Sequence, residues 1–198
     1  MKMLPAVLTP FVRSDALGAI LAELFLRPDE ELSISELARR ADVSVPLAHK
    51  EVARLVDAGV LVDRREGNSR LVRAGTAHPL FAPMAEIVAA SYGPVPVLRE
   101  LLAGVPGVDL AFVYGSWAAR RTGRPGKFPR DVDVLVVGTA SRAALADVAG
   151  SARRSLDMEV NIHRVDAASW AQPEGNAFLE TVLSRPRVAL TASEGAGG

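Results

Sequence analysis

Two carboxylates one residue apart, Asp131 and Asp133, stand in the apolar run Asp131-Val-Asp-Val-Leu-Val-Val137. In a strand these side chains project from one face, where they can grip a divalent cation that neither holds strongly alone. Upstream, in Tyr114-Gly-Ser116, Gly115 lets the backbone approach phosphate oxygens closely, and Ser116 offers a hydroxyl and, if it opens a helix, an N-terminal amide. The insert between them, Trp117 to Arg130, carries Arg120, Arg121, Arg124, Lys127 and Arg130 among glycines and prolines. Such cations would neutralise a triphosphate or a nucleic-acid backbone; a solvated basic loop is the competing account. A further acid follows in Leu156-Asp-Met-Glu-Val-Asn-Ile162, where Asp157, Glu159 and Asn161 share one face of an expected strand, with His163 on the same parity. The combination points to phosphate chemistry.

The order of Gly115-Ser116, then Asp131-x-Asp133 on a strand, then Glu159 on a later strand resembles the polymerase-beta-type nucleotidyltransferases in their minimal form. More narrowly, the chain is similar to bacterial proteins that fuse a winged helix-turn-helix to such a domain. The resemblance implies that Asp131, Asp133 and Glu159 are the catalytic and metal-binding acids, with Mg2+ or Mn2+ as cofactor. It implies that Gly115 and Ser116 contact a nucleoside triphosphate, and the basic residues Arg120, Arg121, Lys127 and Arg130 are placed with them at its phosphates. The activity implied is transfer of a nucleoside monophosphate to a hydroxyl acceptor, with attack at the alpha-phosphorus and release of pyrophosphate. Two features depart from the usual pattern: the third acid is Glu rather than Asp, and the basic insert is longer than the short turn of many relatives. Trp117 is a candidate base-stacking residue as well as a candidate buried aromatic, and Tyr114 is expected mainly to pack.

The 198 residues suffice for one medium domain or two small ones with real cores. No cysteine is present, which excludes disulfide frameworks, thiol catalysis and Cys-based zinc sites. His49, His78 and His163 are scattered, without a close pair for a transition metal, so the expected ion is hard and held by carboxylates. With 23 Lys plus Arg against 23 Asp plus Glu, any attraction to nucleic acid must come from local charge. No apolar segment reads as membrane-spanning and no secretory pattern opens the chain, so a cytoplasmic protein without a membrane partner is expected.

The elements that position these residues follow from hydrophobic period and caps. Leu17, Ile20, Leu21, Leu24 and Phe25 recur at helical spacing over 15–26, with Ser14 or Asp15 as cap and Pro28 ending the run. Ser33 or Ser35 caps a second helix through Arg40, with Ile34, Leu37 and Ala38 inward. Ala41-Asp-Val43 forms a turn, and Ser44 caps a third helix that ends at Gly59 in a left-handed cap. Val60-Leu-Val62 and Arg70-Leu-Val-Arg73 then flank a tight turn at Gly67-Asn68, giving a two-stranded wing. From Ile34 to Arg73 the sequence resembles small bacterial repressors of the ArsR and MarR type, whose last helix enters the major groove while the wing touches adjacent backbone. Leu47, Val52, Leu55 and Val56 are assigned to the core. Ser44, His49, Lys50 and Arg54 are left as candidate contacts to double-stranded DNA, and Arg64, Arg65 and Arg70 as phosphate contacts. Lys50 and Arg54, moderated by Glu51 and Asp57, also read as an ordinary solvated face.

The fold class expected is α+β: a winged helix-turn-helix over 1–78, a connecting helix and linker over 79–94, a small nucleotidyltransferase-like α/β domain with a mixed sheet over 95–192, and a disordered tail over 193–198. In the second domain a helix is expected over 97–103, strands over 109–114, 132–137 and 157–162, a helix over 141–151 capped by Ser141, and a helical tail. An additional strand is considered for residues 6 to 12. Dimer contacts through the helix from 80 to 91 would make a homodimer on a palindromic site. The rival reading is a non-catalytic transcriptional regulator whose second domain binds a nucleotide effector or mediates dimerisation.

Overall fold

The computed structural model describes residues 12–121, 129 and 131–191, and the chain divides into two compact units, Met1–Gly93 and Pro94–Gly198. The strand considered for residues 6 to 12, apart from Val12, lies outside the described residues, as do Arg124, Lys127, Arg130 and the tail from 193.

The first unit runs α1 (Asp15–Phe25), β1 (Leu32–Ser33), α2 (Ile34–Arg40), α3 (Val45–Asp57), β2 (Leu61–Glu66), β3 (Ser69–Ala74) and α4 (Phe81–Tyr92). Serines start its first three helices. The Ser14, Ser33 and Ser44 hydroxyls accept from the N–H groups of Leu17, Glu36 and Leu47 at 3.3, 3.2 and 3.4 Å. Each satisfies a donor that a helix start leaves unpaired. Pro46 sits in the first turn of α3, and Gly59, at φ +72°, follows its end. Ile20, Leu21, Leu24 and Phe25 of α1 meet Ile34, Leu37 and Ala38 of α2, Ala48 and Val52 of α3, and Leu61 and Val72 of the hairpin in one core. Each large side chain buried there stabilises by roughly 1.5–3 kcal/mol. α4 packs on α1 within this unit, and its Val88 joins the same core.

The hairpin strands reach further than 60–62 and 70–73, closing directly on Gly67 at φ +58° and Asn68. Their charged residues pair across the ladder or with β1's neighbourhood: Arg70 donates to Asp63 at 2.6 Å and Arg64 to Glu31 at 2.8 Å. A solvent-facing ribbon can therefore be strand without apolar alternation. The short β1, also missed by the pattern, adds a third strand in the order β1-β3-β2.

The second unit runs α5 (Pro94–Ala103), β4 (Val108–Tyr114), α6 (Gly115–Arg121), β5 (Asp131–Gly138), α7 (Arg142–Leu156), β6 (Glu159–Val165), α8 (Ala167–Ala171), α9 (Ala177–Leu183) and β7 (Val188–Ala189). Its mixed sheet has the order β6-β5-β4-β7; β5 and β6 are parallel, and the other neighbours antiparallel. α7, capped by Ser141, is the crossover between the parallel strands and packs on β6 and α5. Val132, Val134 and Val136 fill one face of β5 and are fully buried. Asp131, Asp133 and Leu135 fill the other. At the Leu135 end that face is closed by Leu179 and Val182 of α9, with Val165 and Trp170 beside them.

Three boundaries differ from expectation for local reasons. α5 starts at Pro94, because a proline in the first turn lacks only an N–H that has no helical partner there. α7 continues to Leu156 and ends on Asp157 in the left-handed region at φ 48°, so β6 begins at Glu159 and Asp157 leaves the acidic face. The tail is not wholly helical, since Val188 and Ala189 pair with Val113 and Phe112 of β4. The helical run Phe81–Ala103 is, against expectation, long and apolar enough by length and composition to cross a membrane. It is divided at Gly93, whose backbone is extended at φ −78°, ψ −177°, and its buried residues serve separate units, Val88 in one and Val97, Leu98 and Leu102 in the other.

Candidate functional site

Strand register decides which polar side chains of the second unit meet. Asp131 lies opposite Glu159, Asp133 opposite Asn161, and Leu135 opposite His163, while Tyr114 of β4 lies opposite Asp133. Residues paired across neighbouring strands share a face. Asp131, Asp133, Glu159, Asn161, His163 and Tyr114 therefore form one patch beside the apolar end that α9 closes. The Asn161 amide donates to Asp133 Oδ1 at 3.1 Å, which fixes the rotation of that carboxylate.

Gly115, at the junction of β4 and α6, is required on two counts. Its φ of +76° is strained for any L side chain, and a Cβ there would sit 2.5 Å from Asp133 Oδ2. The missing side chain keeps the second oxygen of Asp133 accessible. Burial and the neighbouring Asp133 charge push the Tyr114 hydroxyl up to about 12, so it remains a neutral donor through the physiological range. Ser116 is exposed at the start of α6, and Arg120 and Arg121 lie in its last turn. Trp117 is only 4% exposed, so the base-stacking role considered for it gives way to core packing. Lys127 and Arg130 lie outside the described residues.

Two half-buried aspartates on one face are an oxygen donor pair suited to Mg2+ or Mn2+. Glu159 is the adjacent acid by register, but its side chain is 68% exposed and its carboxylate lies 3.6 Å from the Arg153 guanidinium. Among the described residues, no group of three or more His, Asp or Glu side chains is gathered so that it could hold a metal ion.

Two features of this patch were not anticipated. Strand parity places Asn161 on the polar face, and its bond to Asp133 follows only from the pairing of β5 with β6. Phe178, from α9, joins Tyr114 and His163 in an aromatic group. The parity of His163 was a usable signal for its position, whereas nothing local to Phe178 ties it to a strand more than ten residues upstream.

In the first unit, Ser44 caps α3 with its hydroxyl, and His49 and Lys50 are exposed on the same helix. Glu51, expected on a solvated face, is 4% exposed and pairs with Arg13 and with Arg54, the latter at 3.3 Å. Helix geometry explains the difference: Ala48, Glu51, Val52 and Leu55 follow the i, i+3, i+4, i+7 stripe that faces the core. On the wing, Arg64 contacts Glu31 at 2.6 Å and Glu66 at 3.0 Å, and these bonds raise its pKa. Arg70 contacts Asp63 at 2.6 Å, whereas Arg65 is exposed and has no acidic partner among the described residues.

No protein-family model matches the chain, and no curated protein matches it. Among solved structures, the chain is similar to reduced HlyU from Vibrio cholerae, with 24% identity over 36% of this chain and 74% of that one, at a TM-score of 0.31.

Proposed function

We propose that the first unit is a winged helix-turn-helix that binds double-stranded DNA, and that the second is a nucleotidyltransferase-like domain that binds a nucleoside triphosphate with Mg2+ or Mn2+. The reaction is transfer of a nucleoside monophosphate to a hydroxyl acceptor. The observation that carries the second half is the parallel register of β5 and β6, which sets Asp131 beside Glu159 and Asp133 beside Asn161 on one open face. Asp131 and Asp133 would hold the ion, with Glu159 joining on release from Arg153. When bound, a divalent ion supplies charge neutralisation at the phosphates and lowers the pKa of an acceptor hydroxyl. Asn161 orients Asp133, Gly115 keeps the approach to it clear, and Ser116, Arg120, Arg121, Lys127 and Arg130 serve the phosphates.

The DNA half rests on the order of three capped helices and a hairpin, with His49 and Lys50 exposed on α3 and Arg65 on the wing. A homodimer on a palindromic site, in the cytoplasm, completes this reading. A second reading, a regulator that binds nucleotide without transferring it, is favoured by the contact of Glu159 with Arg153.

Calorimetric titration of each nucleoside triphosphate, with Mg2+ or Mn2+, tests the site in the intact chain and in an Asp131→Asn, Asp133→Asn variant. Binding that requires the metal and both aspartates is expected. Pyrophosphate release on adding candidate acceptors would select transfer over the effector reading, and no nucleotide binding by folded protein would sink both. Failure to bind a genomic fragment library at low and moderate salt would remove the DNA half.

A further inference from the structure

The sheet face that carries Asp131 and Asp133 continues into aromatic side chains. His163 is one strand across and two residues along from Asp133, about 8 Å away, opposite Leu135. Tyr114 flanks it from β4, and Phe178 meets both from the first turn of α9. The ring centroids are 6.4 Å apart for Tyr114 and His163, 5.9 Å for Tyr114 and Phe178, and 5.5 Å for His163 and Phe178. The three pairs are inclined at 64°, 81° and 45°, so none of these rings lies flat on another.

A neighbouring pair on the same unit behaves differently. Phe112 and Trp170 stack at 23° with centroids 5.4 Å apart, and the Arg187 guanidinium lies 6.0 Å from the Phe112 centroid. That pair satisfies its ring faces internally, as structural aromatics do. Phe178 does not follow the pattern of its own helix: Leu179 and Val182 are buried, while Phe178 is 38% exposed and the adjoining His163 is exposed as well. Core packing accounts for Leu179 and Val182 and gives no reason for holding a phenylalanine out beside an exposed histidine.

Resting on the reading of Asp131 and Asp133 as a nucleotide-phosphate site, we propose that Tyr114, His163 and Phe178 form the platform on which the nucleobase of that nucleotide stacks. The spacing of about 8 Å between the backbone positions of Asp133 and His163 is of the size that one ribose bridges between phosphate and base. Stacking on such a platform is tolerant of base identity, because every base offers a π-face, and purines gain more from their larger rings. The platform supplies affinity for the base, while the acids serve the phosphates.

The test compares ATP, CTP and inorganic triphosphate as ligands of the full chain by calorimetry with Mg2+, for the unmodified protein and for Phe178→Ala, Phe178→Leu and Phe178→Trp. The unmodified protein is expected to bind ATP about tenfold or more tightly than triphosphate, and ATP several-fold more tightly than CTP. Phe178→Ala and Phe178→Leu should lose most of the ATP preference and leave triphosphate affinity unchanged; Phe178→Trp should keep it. Phe178→Leu preserves the apolar contact on α9 and so decides the matter if Phe178→Ala fails to fold. Equal affinity for ATP and triphosphate in the unmodified protein, or an undiminished ATP preference in Phe178→Leu, overturns the platform while leaving the acid pair intact. Binding of neither ligand overturns the acid-pair reading, and the platform with it.

Discussion

The two units treat charge in opposite ways. In the first, charged side chains close on one another: Glu36 with Arg39 and Arg40, Arg40 with Glu30, Arg64 with Glu31 and Glu66, Arg70 with Asp63, and buried Glu51 with Arg13 and Arg54. On the sheet face of the second, Asp131 and Asp133 share one side of a strand, and among the described residues neither has a cationic partner. The hydrogen-bond partner of Asp133 is the neutral Asn161, and the contact of Glu159 with Arg153 is long at 3.6 Å. Like charges held on one face repel. These ion pairs of the first unit are internally compensated, whereas Asp131 and Asp133 have no cationic side chain against them among the described residues, which is the difference the proposed metal site would exploit.

The largest test of this contrast is Glu51. Glu51→Ala should lower stability by about 1–3 kcal/mol, less than for a fully buried pair because Arg13 and Arg54 can both reach water; denaturant unfolding measures it, and a neutral result would place Glu51 with surface charges. Next, Gly115→Ala should cost about 1–2 kcal/mol from its left-handed backbone alone. Part of any excess, the collision with Asp133, should disappear in an Asp133→Ala background, which a double-mutant cycle will read out. On DNA, Lys50→Ala and Arg65→Ala should each reduce the slope of log affinity against log salt by about 0.9 per protomer, about 1.8 for a dimer on both half-sites. Arg64→Ala and Arg70→Ala should change it less, because both are already compensated by acids, and equal effects at all four positions would erase the distinction. The smallest effect concerns pH. Hydrogen bonds from Arg39 and Arg40 hold the Glu36 carboxyl down at about 2 against its ordinary 4.5, so its contribution is present above pH 4.5 and is lost as pH falls toward 2. Glu36→Gln should flatten that limb of the stability profile in urea melts from pH 5 to 2.

Local signals carried most of the first unit. Ser14, Ser33 and Ser44 each announce a helix by chemistry that acts within three residues, and the positive φ of Gly59 is foreshadowed by an apolar period that stops there. Glu51 is not legible as buried because its charge argues for solvent against its place on the inward stripe, and its partner Arg13 lies 38 positions away. In the second unit the alternation of β5 and β6 gave the faces of Asp131, Asp133 and Glu159. The start of β6 is not legible because Asp157 satisfies strand parity yet serves as a left-handed helix end. The bond from Asn161 to Asp133 and the meeting of Phe178 with His163 depend on how strands and helices are brought together, which no single segment encodes.

The pairing of β5 with β6 also limits how this protein can change by insertion and deletion. Glu159, Asn161 and His163 occupy alternate positions of one strand, so a single residue gained or lost at the start of β6 would turn all three to the opposite side together. The acid opposite Asp131, the amide that bonds Asp133 and the ring opposite Leu135 would leave the shared face in one event. Changes of length in the turn after Gly138 leave that parity untouched. Descendants of this chain should therefore tolerate length variation in the crossover and almost none within the strand it leads to.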